Sequence, residues 1–165
     1  MDEARFGQQG TLTNVWATKG SRPTAVKQTR YEWVHLFAAV EPATGASSAL
    51  LSPEMNTGVM NVFLRQLVRE ELRRREHAIV IMDQAGWHTS NDLEVPEEVT
   101  ILLLPPSSPE LNPVARVWAY LRSHHMGNRA FAGYDDLLES GTEAWRRLTP
   151  ERLRSICRCE YLGAR

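Results

Sequence analysis

The apolar positions of the chain fall into short runs and one long periodic stretch, a spacing that predicts strands interleaved with helices. Ala78-Ile-Val-Ile-Met82 meets no polar residue until Asp83, the pattern of a short strand covered on both faces. Val99 to Leu104 repeats that pattern, and Pro105-Pro106 ends it. Glu32 to Val40 and Ala46 to Leu51 are β-rich runs on either side of Glu41-Pro-Ala-Thr-Gly45, which has turn chemistry, so the pair predicts a hairpin. From Asn56, a capping side chain, to about Glu76, residues Val59, Met60, Phe63, Leu64, Leu67, Val68 and Leu72 recur at three and four positions. That is an amphipathic helix, with Arg65, Arg69, Arg73 and Arg74 on its solvent side. A short helix is expected over Thr89 to Leu93. Asn112 before Pro113 marks a stronger start, a cap followed by proline at the first helical position, and the helix carries Val114, Val117, Trp118 and Leu121 to about His125. Two more helices follow, Tyr134 to Arg147 and, capped by Thr149, Pro150 to Tyr161.

The stretch from Gly7 to Gln28 has neither period. It is polar, contains Gly10, Gly20 and Pro23, and offers Trp16 as its single large apolar anchor. A long excursion of this kind in a compact domain is functional or mobile. Lys19, Arg22, Lys27 and Arg30 make it locally basic, which suits a phosphate backbone and equally suits a solvated loop.

Composition narrows the classes. At 165 residues the chain fits one domain that needs no disulfide or metal to hold its core. No apolar run approaches the ~18 residues of a membrane span. Met1 leads straight into Asp2-Glu3, without the basic and then apolar pattern of a secretory signal, so a cytoplasmic location is expected. Cys157 and Cys159 are too close in sequence to chelate or pair well, and read as plain thiols. The net charge of −1 gives no sign of nucleic acid, although nearly all the basic residues are arginine, whose fork can bind two phosphate oxygens.

The chemistry centres on Asp83. Open α/β sheets place ligand sites just past the carboxyl ends of parallel strands, so an acid there is either a reactive group or a cap for the turn that follows. His88 reads either as a neighbour of that site or as a satisfied structural histidine. His124-His125 lacks zinc-spaced partners, and Ser107-Ser108 has no base arrangement nearby.

Three stretches together resemble the catalytic domain of the DDE transposases in the mariner-like superfamily, particularly its bacterial insertion-sequence branch. Asp2-Glu3-Ala-Arg-Phe6 is similar to that family's opening Asp-Glu strand. Met82-Asp-Gln-Ala-Gly-Trp-His88 is similar to its Asp-Asn-Ala-x-x-His strand end, and Leu104-Pro-Pro-Ser-Ser-Pro-Glu-Leu-Asn-Pro113 to its Pro-Pro-Tyr-Ser-Pro-Glu-Leu-Asn-Pro motif. The resemblance implies an RNase H-like mixed five-stranded sheet flanked by helices, forming a single domain over 1–165, with a helix-turn-helix DNA-binding region upstream.

By the same resemblance Asp2 and Asp83 are the first two catalytic, metal-binding acids, on strands that lie side by side. The family's third acid falls two residues after Asn-Pro, where this chain has Ala115, so the resemblance implies a domain inactivated by loss of that carboxylate. Glu110, Asn112 and His88 are expected in supporting roles, with Lys19, Arg22, Lys27 and Arg30 on DNA. Two Mg²⁺ or Mn²⁺ ions are expected in an intact site, since paired cations activate the attacking oxygen and stabilise the leaving one. The implied partners are transposon ends and target DNA, with a homodimer on DNA and no membrane. The implied reaction is DNA cleavage by water and then strand transfer by the freed 3′-hydroxyl. The competing reading is a non-catalytic RNase H-like DNA-binding or interaction domain.

Overall fold

The computed structural model describes residues 1–8, 12–26, 28–73 and 76–159; Lys27, Arg74 and Tyr161 lie outside them. Strand β1 (Asp2–Gly7) pairs antiparallel with β2 (Trp33–Val40), which pairs antiparallel with β3 (Ser47–Ser52) through the expected hairpin. Helix α1 (Thr57–Glu71) follows, its Asn56 cap accepting from the Val59 amide at 2.9 Å. Strands β4 (Ala78–Met82) and β5 (Val99–Leu103) form a parallel pair. The two ladders meet where the Met1 nitrogen donates to the Ile81 carbonyl at 2.8 Å, and together they supply the mixed set of five strands. A 3₁₀ turn (Pro109–Leu111), α2 (Ala115–Leu121), a π-helical turn (Arg122–Met126), α3 (Tyr134–Arg146) and α4 (Pro150–Ile156) complete the order.

Strand alternation gives each face of the β1–β2–β3 sheet its own core. Ala4, Phe6, Val34, Leu36 and Ala38 meet Val117, Trp118 and Leu121 of α2, Leu137 of α3 and Leu153 of α4. On the other face Phe37 meets Met60, Phe63 and Leu64 of α1, with Val80 and Met82 of β4. Phe37 and Phe63 are fully buried with ring centroids 6.1 Å apart, and burying each contributes about 2–3 kcal/mol. Among the described residues no helix is long and apolar enough to cross a membrane.

Four expectations are corrected by the packing. The β4–β5 pair is not covered on both faces: Ile79, Leu102 and Leu103 are 68%, 52% and 40% exposed, because α2, α3 and α4 gather over the other sheet. Thr89 to Leu93 forms turns instead of a helix. The buried Asn61 amide donates to the Asp92 carbonyl at 3.0 Å and accepts from the Glu94 amide at 2.9 Å, so backbone groups next to that stretch are already taken. Helix α2 starts at Ala115, after a tightened turn in which the Ala115 and Arg116 amides bond three residues back, to Asn112 and Pro113. Trp16 anchors nothing, being fully exposed. The arm that carries it is tied down by side-chain amides: Asn128 bonds the Thr13 backbone in both directions, at 3.0 and 2.8 Å, and Gln28 does the same for Phe131, at 2.6 and 2.7 Å.

Gly45 closes the hairpin turn with φ +80°, and a Cβ there would stand 2.1 Å from the Pro150 carbonyl oxygen. Both the left-handed backbone and the close approach to α4 require glycine. Gly45→Ala should therefore cost about 2 kcal/mol or more of stability, read as a lower urea midpoint with unchanged slope. An unchanged midpoint would mean that the hairpin and α4 are not in contact.

Candidate active site

Asp2 and Glu3 leave β1 on opposite faces, as alternation requires. Asp2 points toward α2, where one of its carboxylate oxygens accepts from the Trp118 indole N–H at 2.8 Å. Burial raises the Asp2 pKa above the ordinary carboxylate range, and the Trp118 bond offsets only part of that. Asp83 follows directly on β4. Its Oδ1 accepts from the Ala85 amide at 3.0 Å, which closes a tight turn of the kind expected of a capping aspartate. The two readings of Asp83 are thus compatible: it caps, and its half-exposed carboxylate also faces a cavity.

That cavity has a volume of about 370 Å³. That is room for several waters, enough for a hydrated cation beside a phosphate group. Asp2, Asp83, Gln84, Asn112 and Ala115 line it, along with the loop from Leu104 to Pro109. Gln84 donates to the Leu104 carbonyl at 2.9 Å, and Leu104 donates its amide to Met82 at 2.8 Å, so the start of the loop is held to β4. Ser107 sits at φ 57°, a left-handed conformation that a serine adopts at a cost of about 1–3 kcal/mol. At its far end the loop is held by Asn112, which is buried and donates to the Met1 carbonyl at 2.8 Å while accepting from the Val114 amide at 3.2 Å.

Of the residues expected from sequence, the structure brings Asp2, Asp83, Asn112 and Ala115 together at this cavity. Ala115 is the first residue of α2 and lines the same cavity as both aspartates. Glu110 lies exposed on the 3₁₀ turn and is not among the lining residues. Lys19, Arg22 and Arg30 are exposed on the arm and do not line the cavity either. Lys27 lies outside the described residues.

His88 is fully buried and bonded at both ends: Nε2 to Glu3 Oε1 at 2.8 Å, and Nδ1 to Asp83 Oδ1 at 2.8 Å and to the Asp83 carbonyl at 3.1 Å. Carboxylates on both sides favour the doubly protonated ring, which would donate from each nitrogen. Burial pulls the imidazole pKa down, but the hydrogen bond and charge of Glu3, together with Asp83, outweigh it and raise His88 above its ordinary value. Glu3 and Trp118 were not recognised from sequence as parts of the site. The signal for Glu3 is its alternation with Asp2; for Trp118 it is the position one helical turn past Ala115.

Two carboxylates from separate strands, with water to complete the shell, suit one Mg²⁺ or Mn²⁺ ion. They do not suit a pair. Among the described residues no cluster of three His, Cys, Asp or Glu side chains has metal-holding geometry, and Ala115 offers no oxygen from its side chain.

Because the folded state holds the Asp2 proton more tightly than the unfolded chain does, this residue's contribution to stability falls as pH rises from the ordinary carboxylate pKa through the raised one. At neutral pH it is a net cost. Asp2→Asn removes the buried charge and keeps an oxygen for Trp118, so the urea midpoint at neutral pH should rise. A lower midpoint would show that the ionised carboxylate stabilises the fold.

With this geometry in place, comparison with known proteins gives a consistent answer. Residues 1–138 match the model of the DDE superfamily endonuclease family. An uncharacterized protein of Sinorhizobium fredii, y4pE/y4sA, is 40% identical over 126 residues, which make up 75% of this chain and 93% of that protein. Among solved structures, the Mos1 mariner paired-end complex with Mn superposes with a TM-score of 0.68 at 16% identity, and the Mos1 strand transfer complex with 0.65 at 17%. Each likeness covers 94% of this chain, which spans about half the length of those Mos1 chains. At that identity the superposition speaks for the RNase H-like fold alone. The match over most of the chain and the 40% identical relative speak for more: the chain belongs to the DDE superfamily endonuclease family.

Proposed function

We propose that this chain is the catalytic domain of a mariner-like DNA transposase, built to cut and rejoin phosphodiester bonds at transposon ends and impaired at that chemistry by Ala115. The observation that carries the reading is the meeting of Asp2 and Asp83, from the two separate sheets, with the first residue of α2 at one cavity. Asp2 and Asp83 would hold a divalent cation, Mg²⁺ or Mn²⁺, which supplies charge neutralisation at the phosphate and acidifies a bound water. The protein's own part is positional. Trp118 and His88 fix the two carboxylates, Asn112 holds the loop that walls the cavity, and the arm bearing Lys19, Arg22, Lys27 and Arg30 is where a DNA backbone would run. Strand transfer joins two ends, so the working form is a homodimer on DNA.

A second reading is favoured by one observation: among the described residues only two acids reach the cavity from the expected positions. On it, the chain is a non-catalytic DNA-binding or interaction domain.

Restoring the third acid separates the two. Ala115→Glu should raise Mg²⁺- or Mn²⁺-dependent nicking of transposon-end DNA by at least about 100-fold, more than the loss of a ligand's supporting partner usually costs. In that background Asp83→Asn should return activity to baseline, while Glu110→Gln should cost less than about 10-fold. No gain from Ala115→Glu would favour the non-catalytic domain. Cleavage by the unaltered chain that Glu110→Gln abolishes would instead make Glu110 the third ligand.

DNA binding by the unaltered chain should be weak and lost with added salt, because phosphate contacts release counterions. Replacing a contacting arginine such as Arg22 with alanine should lower the slope of log affinity against log salt by about 1. Salt-independent binding would remove the arm from the interface.

A further inference from the structure

The two acids of the Asp2-Glu3 pair serve one site from opposite sides of the strand. Glu3 points away from the cavity, and its carboxylate is 4% exposed, beyond the reach of a cation or of DNA. A carboxylate that deeply placed is costly unless paired, and its partner is the His88 Nε2 at 2.8 Å. The His88 ring is buried too, and its opposite edge meets Asp83 Oδ1 at 2.8 Å and the Asp83 carbonyl at 3.1 Å. Three side chains from β1, from the end of β4 and from the turn beyond it thus form one continuous rod, acid to imidazole to acid. Rotating the Asp83 carboxylate would break its bond to the ring, and tilting the ring would strand the buried Glu3 charge.

We propose that Glu3 is a positioning residue: acting through His88, it fixes the rotamer in which Asp83 presents its remaining oxygen to the cavity. The inference rests on the reading of Asp83 as a cation ligand and adds the groups that hold that ligand in place. It also gives the adjacent acids of β1 different tasks, Asp2 at the cavity and Glu3 behind Asp83. Bond lengths of 2.8 Å at both ends of the ring leave little play.

The test is Mn²⁺ affinity of the unaltered chain and of single variants, measured by the loss of the free-ion electron paramagnetic resonance signal. Asp83→Asn should abolish binding. Glu3→Ala should weaken it about 10- to 100-fold, the usual cost of removing a ligand's hydrogen-bonded support. Glu3→Gln, which keeps an oxygen for Nε2, should stay within about threefold. If Glu3→Ala fails to fold by circular dichroism, Glu3→Asp takes its place, since it withdraws the acceptor from the ring while keeping the charge. A readout free of metal is the carboxyl ¹³C resonance of Asp83, assigned by its disappearance in Asp83→Asn. It should move further in Glu3→Ala than in Glu3→Gln, which keeps the hydrogen bond and removes only the charge. Wild-type Mn²⁺ affinity in Glu3→Ala, with binding lost in Asp83→Asn, would overturn the positioning role and leave the cation site standing. No Mn²⁺ binding by the unaltered chain would overturn the cation site, and the Asp83 resonance would then decide the positioning role by itself. An Asp83 resonance indifferent to Glu3→Ala overturns it in every case.

Discussion

The cavity exists because one buried amide joins three segments that are distant in sequence. Asn112 donates to the Met1 carbonyl, and the Met1 nitrogen donates in turn to Ile81, so the Pro-rich loop, the start of β1 and the end of β4 are tied at one point. Asp2 stands next to that knot on one side, Asp83 just beyond it on another, and Ala115 three residues after Asn112 on the third. A neutral amide suits the task. It satisfies a donor and an acceptor in a dry place at a net gain of about 1 kcal/mol per bond, whereas a charged residue would carry a desolvation cost.

The same knot brings acidic groups close together, and the fold holds them at a cost. Asp2 is desolvated enough that its proton is held above the ordinary range, and the compensating Trp118 bond does not cancel this. Glu3 and Asp83 share one imidazole between them. Ser107 contributes a strained backbone to the wall of the cavity. This concentration of cost in a single place is what the proposed cation site would relieve, because a cation there would supply positive charge to the carboxylates.

Much of this was legible in the sequence. The unbroken apolar run of Ala78 to Met82 and the period of Val59 to Leu67 are local signals, and the caps at Asn56 and Thr149 depend on a single side-chain bond. Asp2, Asp83 and Ala115 were placed by motif, and the structure gathers them. What could not be read depends on neighbours from elsewhere in the chain. The exposure of Leu102 reflects where three later helices settle. The turns at Thr89 to Leu93 are held by Asn61, far upstream. Trp16, a core residue by type, is fully exposed because the arm is held by amide bonds to residues near 130 and not by its own apolar side chain. Alternation sets Glu3 on the face opposite Asp2, but nothing local says which of the two acids faces a cavity and which supports a partner across the strand.

The most direct test of the account is to grow crystals with Mn²⁺ and collect data at the manganese edge. The account predicts one anomalous peak, between the carboxylates of Asp2 and Asp83, in the unaltered chain, and a second beside it in Ala115→Glu. A peak on Glu3 or Glu110, or none near Asp83 in either protein, would contradict it.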